Sequence, residues 1–113
     1  MGRKLGTVTI SPAVLTMVAR LTALSVPGVV RMSPLGVRRL LGAYGHDGVK
    51  VQLVDEAVVL DVYIIAATDA NMLELSRAIQ AKVTRAVHEI VGMAVREVNI
   101  HVVDVVEVGA PGD

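Results

Sequence analysis

One domain is the expectation for 113 residues, a length at which a chain can bury a core of its own. Eleven basic and eleven acidic residues cancel at a pI of about 6.8, without the positive excess that a general nucleic-acid binder sets against phosphates, and the lack of cysteine excludes disulfides, thiolate metal sites and thiol nucleophiles. Hydrophobic residues nevertheless reach 53% and the mean hydropathy is +0.60, so some apolar surface is expected to meet a partner.

That excess is not arranged as a membrane span. The apolar run 57–60 is stopped by Asp61, and the run 64–67 by Thr68 and Asp69, whereas a helix crossing a bilayer needs roughly 20 mostly apolar residues. Arg3 and Lys4 precede neither an uninterrupted apolar stretch nor a cleavage-like site, so no signal peptide is expected. Met1-Gly2 opens like a myristoylation signal, yet Gly6 stands where that signal has Ser or Thr.

In chain order, Thr7-Val8-Thr9-Ile10 alternates like a short strand, and Ser11-Pro12 reads as an N-cap followed by proline at the first helical position. A helix is predicted from there to about Leu24. Its apolar residues Val14, Leu15, Met17, Val18, Leu21 and Leu24 cover more than one face, with Arg20 the only charge; such a helix is buried on most sides or contributes to an interface. Val26-Pro27-Gly28 ends it, and Val29-Val30-Arg31-Met32 resumes an extended run. Residues 33–48, with Pro34, Gly36, Gly42, Gly45 and Gly48 around a short helical pattern at 37–41, read as a surface loop.

Val49-Lys50-Val51-Gln52-Leu53 alternates with period two, Asp55-Glu56 turns, and residues 58–66 return as the second strand of a hairpin. There Leu60, Val62 and Ile64 share one face and Asp61 and Tyr63 the other, so one side packs on helices and the other is partly wet. Asn71 with Glu74 three residues later resembles a reciprocal N-cap, and Met72, Leu75, Ile79, Val83, Val87 and Ile90 form a stripe opposite Glu74, Arg77, Arg85 and Glu89. A helix over 71–91 follows, closed by Gly92. Over 95–105, Val98, Ile100 and Val102 alternate with Asn99 and His101, predicting a last strand with one buried face. This order gives an α+β fold, a two-layer sandwich with two main helices on one face of a mainly antiparallel or mixed sheet. The domain spans 1–113, with its core over about 6–105 and a short flexible tail at 109–113.

The order and wording of these segments resemble the alkaline shock protein family, the envelope stress response proteins of bacteria. The resemblance is carried by Gly6-Thr7-Val8-Thr9-Ile10-Ser11, Val26-Pro27-Gly28-Val29 and Gly48-Val49-Lys50-Val51, then by Ile79-Gln80-Ala81-Lys82-Val83, Gly92 and Val98-Asn99-Ile100-His101-Val102. Where the family often has a Tyr-Gly pair before the second helix, this chain has Ala67-Thr68-Asp69-Ala70. The resemblance implies a cytoplasmic, non-enzymatic protein of envelope homeostasis, of a kind that in some members is held at the inner face of the membrane by an integral membrane partner and is able to assemble with itself. It implies no active site and no cofactor.

Candidate sites are weighed beside that. Gly42-Ala43-Tyr44-Gly45, near Arg38 and Arg39, has the spacing of the backbone-clamping loop of KH domains. With Tyr44 and Tyr63 as the only aromatic residues, however, platforms for base stacking are scarce. Nucleic-acid or small-ligand binding by the 42–48 loop is therefore the alternative, which a basic cluster of Arg31, Arg38, Arg39 and Lys50 would favour. His46, His88 and His101, even with Asp47 or Glu89, lack the i, i+4 spacing that sets two imidazoles together on a helix, so no metal is expected; His88 suits a helix C-terminus. Ser11, Ser25, Ser33 and Ser76 have structural explanations as cap, turn, loop and helix face, and neither a Gly-x-Ser-x-Gly nor a phosphate-binding Gly-x-x-x-x-Gly-Lys motif occurs. Protein contact has better candidates. Asp61, Tyr63, Asn99 and His101 would form a polar surface on the open side of the sheet, and Val103 and Val105 would expose a strand edge if the last strand is outermost. The first helix would pack around Arg20 against a copy of itself.

Overall fold

Caps and turns set the element boundaries. The computed structural model describes residues 4–34 and 43–108. In it, α1 runs Pro12–Leu24, with the Ser11 Oγ accepting the Ala13 N–H at 3.2 Å. Proline enters at a position whose N–H needs no partner. In α2, Met72–Ala86, the Asn71 side chain accepts the Glu74 N–H at 3.0 Å, which satisfies one of the helix's free donors. The helical path continues through a π-helical turn, Val87–Val91, and closes at Gly92, whose φ of 82° suits glycine. Its N–H reaches the carbonyls of Val87 and His88, each at 3.1 Å.

The wider winding of that turn corrects the expected stripe. Leu75, Ile79, Val83 and Val87 are buried as their spacing predicts, but Ile90 is 70% exposed. A π turn advances each residue by a smaller angle than an α turn, so Ile90 is carried off the core face and Val91 packs against the core instead.

The strands are β1, Val29–Met32; β2, Ala43–His46; β3, Val49–Val54; β4, Ala57–Ala67; and β5, Val95–Val106. β4 is the centre. Along one edge it pairs antiparallel with β3 over its first half, Val49 opposite Val62, and with β1 over its second, Met32 opposite Ile64. Along the other edge lies β5, parallel, Leu60 opposite Val98. A parallel neighbour requires a crossover, which α2 supplies. β2 pairs with β3. The sheet is thus mixed, and the two-layer α+β arrangement is the expected one.

Alternation along β4 sends Val58, Leu60, Val62, Ile64 and Ala66 beneath the helices, all 0% exposed. They pack with Leu15, Ala19 and Ala23 of α1 and Leu75, Ile79 and Val83 of α2. Full burial of each larger side chain contributes about 1.5–3 kcal/mol, so this layer is the main source of stability.

Two expectations need correction. Thr7-Val8-Thr9-Ile10 forms no strand, and among the described residues its backbone meets no partner; alternation alone stabilises nothing without a neighbouring edge. Residues 33–48 are not one loop, because Ala43–His46 pairs with β3 through the turn Asp47-Gly48, at φ 48° and 79°. Asp-Gly is a hairpin signal, masked here by a strand with no β-branched residue. The helical pattern at 37–41 and the tail at 109–113 lie outside the described residues.

Candidate functional site

Among the described residues the second face of the sheet carries no helix, and register determines what meets there. On β4, Asp61 stands opposite Lys50 of β3 and Asn99 of β5, and Tyr63 stands opposite His101. Lys50 Nζ lies 4.0 Å from Asp61 Oδ2, and His101 Nε2 lies 2.9 Å from Asp61 Oδ1. An ionised carboxylate only accepts, so the imidazole N–H donates. The Tyr63 and His101 rings stack with centroids 4.4 Å apart and planes 14° from parallel. Asn99 Nδ2 donates to Glu97 Oε2 at 3.3 Å. Asp61, with its side chain 17% exposed, is held between two cationic or potentially cationic groups while His101 remains open to solvent.

Four predicted residues, Asp61, Tyr63, Asn99 and His101, are therefore brought together. Lys50, noted above only for a basic cluster, completes the group; the turn at Asp55-Glu56 places it across from Asp61, so hairpin register was the signal that could have found it. The arrangement offers a flat stacked pair beside a fixed charge pattern. An imidazole–carboxylate pair also occurs in hydrolytic sites, but there it activates a nucleophile inside a water-excluding pocket. Among the described residues no serine or threonine hydroxyl bonds to His101, and the pair lies on an open sheet.

Arg20 does not join this group. It lies on α1 with Nε 3.8 Å from Asp47 Oδ2, in a shallow depression of about 350 Å³ that Leu24, Arg31, Met32, Ser33 and Pro34 also line. Val103 and Val105 are exposed on β5, which is an edge strand among the described residues. Val103 is the extra residue of a bulge, since Ile64 faces Val102 while Ile65 faces Asp104.

The alternative site is changed at Gly45, which is a strand residue opposite Lys50 and not part of a clamping loop. Arg38, Arg39 and Gly42 lie outside the described residues. The charge of Lys50 is countered by Asp61. Of the histidines, His46 is in β2, His88 in the π turn and His101 on β5, and among the described residues no three potential ligands gather for a metal.

A further surface was only half legible. Val14, Met17, Leu21 and Leu24 are 37–54% exposed and lie three, four and three residues apart, along one side of α1. The opposite side seats Leu15, Ala19 and Ala23 in the core. Alanines at the contact use little of the helix's apolar content, so its larger residues remain outside. No described helix is long and apolar enough to cross a membrane.

Comparison with known proteins adds a family. Residues 1–107 match the family model of the alkaline shock proteins, which is described as having a cell envelope-related function. The chain is similar to the uncharacterised protein YqhY of Bacillus subtilis strain 168, at 30% identity over 105 residues, covering 89% of this chain and 78% of that protein. It is also similar to the uncharacterised protein YloU of the same organism, at 32% identity over 105 residues, covering 88% of each. No solved structure matches it.

Proposed function

The chain belongs to the alkaline shock protein family, whose function is cell envelope-related, and from that premise we propose that it is a non-enzymatic adaptor or scaffold of the envelope stress response. It associates with itself and binds a membrane-associated protein, which holds it at the cytoplasmic face of the membrane. The observation that carries this reading is the exposed stripe Val14, Met17, Leu21 and Leu24. Its three-four-three spacing is that of a helix–helix seam. Completing the burial of such side chains yields a sizeable part of the roughly 1.5–3 kcal/mol that each is worth when fully covered. In this reading the stripe takes the membrane-associated partner, and the Lys50–Asp61–His101 group supplies selectivity through fixed charges more than affinity.

Affinity co-purification from detergent-solubilised native cells tests it, with bound proteins identified by mass spectrometry and nucleic acid by absorbance in the same eluate. The expected result is one membrane or envelope protein in stoichiometric amount with little nucleic acid. Stoichiometric, nuclease-sensitive RNA or DNA in its place would overturn the adaptor reading.

A further inference from the structure

Among the described residues, the segment ahead of α1 and the outer edge of β5 each lack a strand partner that the other can provide. Residues 4–10 belong to no helix or strand, Leu5 and Val8 are 90% and 87% exposed, and among the described residues their backbone makes no hydrogen bond. Yet Thr7, Val8, Thr9 and Ile10 are all β-branched and alternate polar with apolar, the composition of a half-buried strand. On β5, the outward Val98 carbonyl accepts from Gln80 Nε2 at 3.0 Å and the Val105 N–H donates to Asp104 Oδ1 at 2.8 Å. Between these two capped positions the two-residue period of the ladder turns the backbone of Ile100 and Val102 outward, away from β4.

We propose that residues 4–10 of one copy add as an antiparallel strand to the outer edge of β5 in a second copy, with Val8 opposite Ile100 and Gly6 opposite Val102. The proposal rests on the self-association reading above and supplies its surface. Three features select this register. Val8 and Ile10 fall beside Ile100 and Val98, on the side that packs against the core. Thr7 and Thr9 fall beside His101 and Asn99 on the open face. Past the bulge at Val103 the pairing shifts by one residue, so Lys4 falls beside Val105 with Glu107 diagonal to it on the same face, whereas a parallel strand with the same central pair would set Lys4 against Arg96. Gly6, at φ 98° in the free segment, accepts the extended conformation as readily.

Light scattering of the full chain over a concentration series tests this, with Val8→Pro and the double variant Met17→Glu, Leu21→Glu run beside it. Proline removes the N–H needed for the ladder at a position that is 87% exposed and makes no hydrogen bond among the described residues, so folding, followed by circular dichroism, stays as it was. Association is expected to weaken about tenfold or more in Val8→Pro and to persist in the α1 double variant. Unchanged association in Val8→Pro would overturn strand addition and leave self-association standing. A wild-type chain that stays monomeric at every concentration would overturn both.

Discussion

Two backbone carbonyls close on Gly48. A Cβ built there would lie 2.7 Å from the Ser33 carbonyl oxygen and 3.0 Å from both the Tyr63 carbonyl oxygen and Met32 Cβ, and φ is 79°. The first two obstacles are main chain and cannot rotate away. Left-handed strain costs about 1–2 kcal/mol and overpacking about 1–3 kcal/mol, so Gly48→Ala is expected to lower stability by roughly 2–5 kcal/mol, measured by urea denaturation. The other hairpin presents the opposite situation. Asp55 and Glu56 turn β3 into β4 at φ 50° and 64°, the region that asparagine and glycine fill most readily. Glu56→Gly relieves the strain of a side chain held there and is expected to raise the denaturation midpoint by an amount equivalent to about 1 kcal/mol.

At the scale of elements, legibility followed the range of the interactions that decide each one. Ser11-Pro12 and Asn71 announce the two helices because caps act within three residues, and the β3–β4 hairpin is visible in its own alternation. Alternation also placed Asp61 and Tyr63 on one face, and likewise Asn99 and His101 on theirs. That the two pairs meet depends on β5 lying parallel to β4, a pairing made across the α2 crossover, which no local pattern expresses. The π turn was hidden for a related reason: Val87 and Ile90 satisfy a helical period in sequence, and only the closure at Gly92 shows that the period changes. Thr7-Val8-Thr9-Ile10 errs in the other direction, since a strand needs a paired edge and among the described residues this segment pairs with none.

For the molecule as a whole, the apolar excess divides between two sides of one helix, and that division separates stability from binding. Ala19 and Ala23 are 0% exposed against the sheet, while Met17 and Leu21 are 53% and 54% exposed. The small residues let α1 sit close to β3 and β1; the large ones contribute little to the core because solvent still reaches about half of each. Substitutions on the two sides should therefore have opposite signatures. Ala19→Leu forces extra methylenes into a filled layer and is expected to cost about 1–3 kcal/mol of stability, with binding affected only as far as the fold is. Met17→Glu with Leu21→Glu puts two carboxylates on a face that is already wet, and is expected to change folding stability by no more than about 0.5 kcal/mol per site. Capture of the membrane-associated protein should nevertheless disappear, because burying that face would then desolvate two charges, at several kcal/mol each. Thermal unfolding and co-purification on the same preparations decide between the outcomes. A double variant that keeps its partner at full yield would remove α1 from the interface, whereas one that unfolds as readily as Ala19→Leu would show the outer stripe to be core after all.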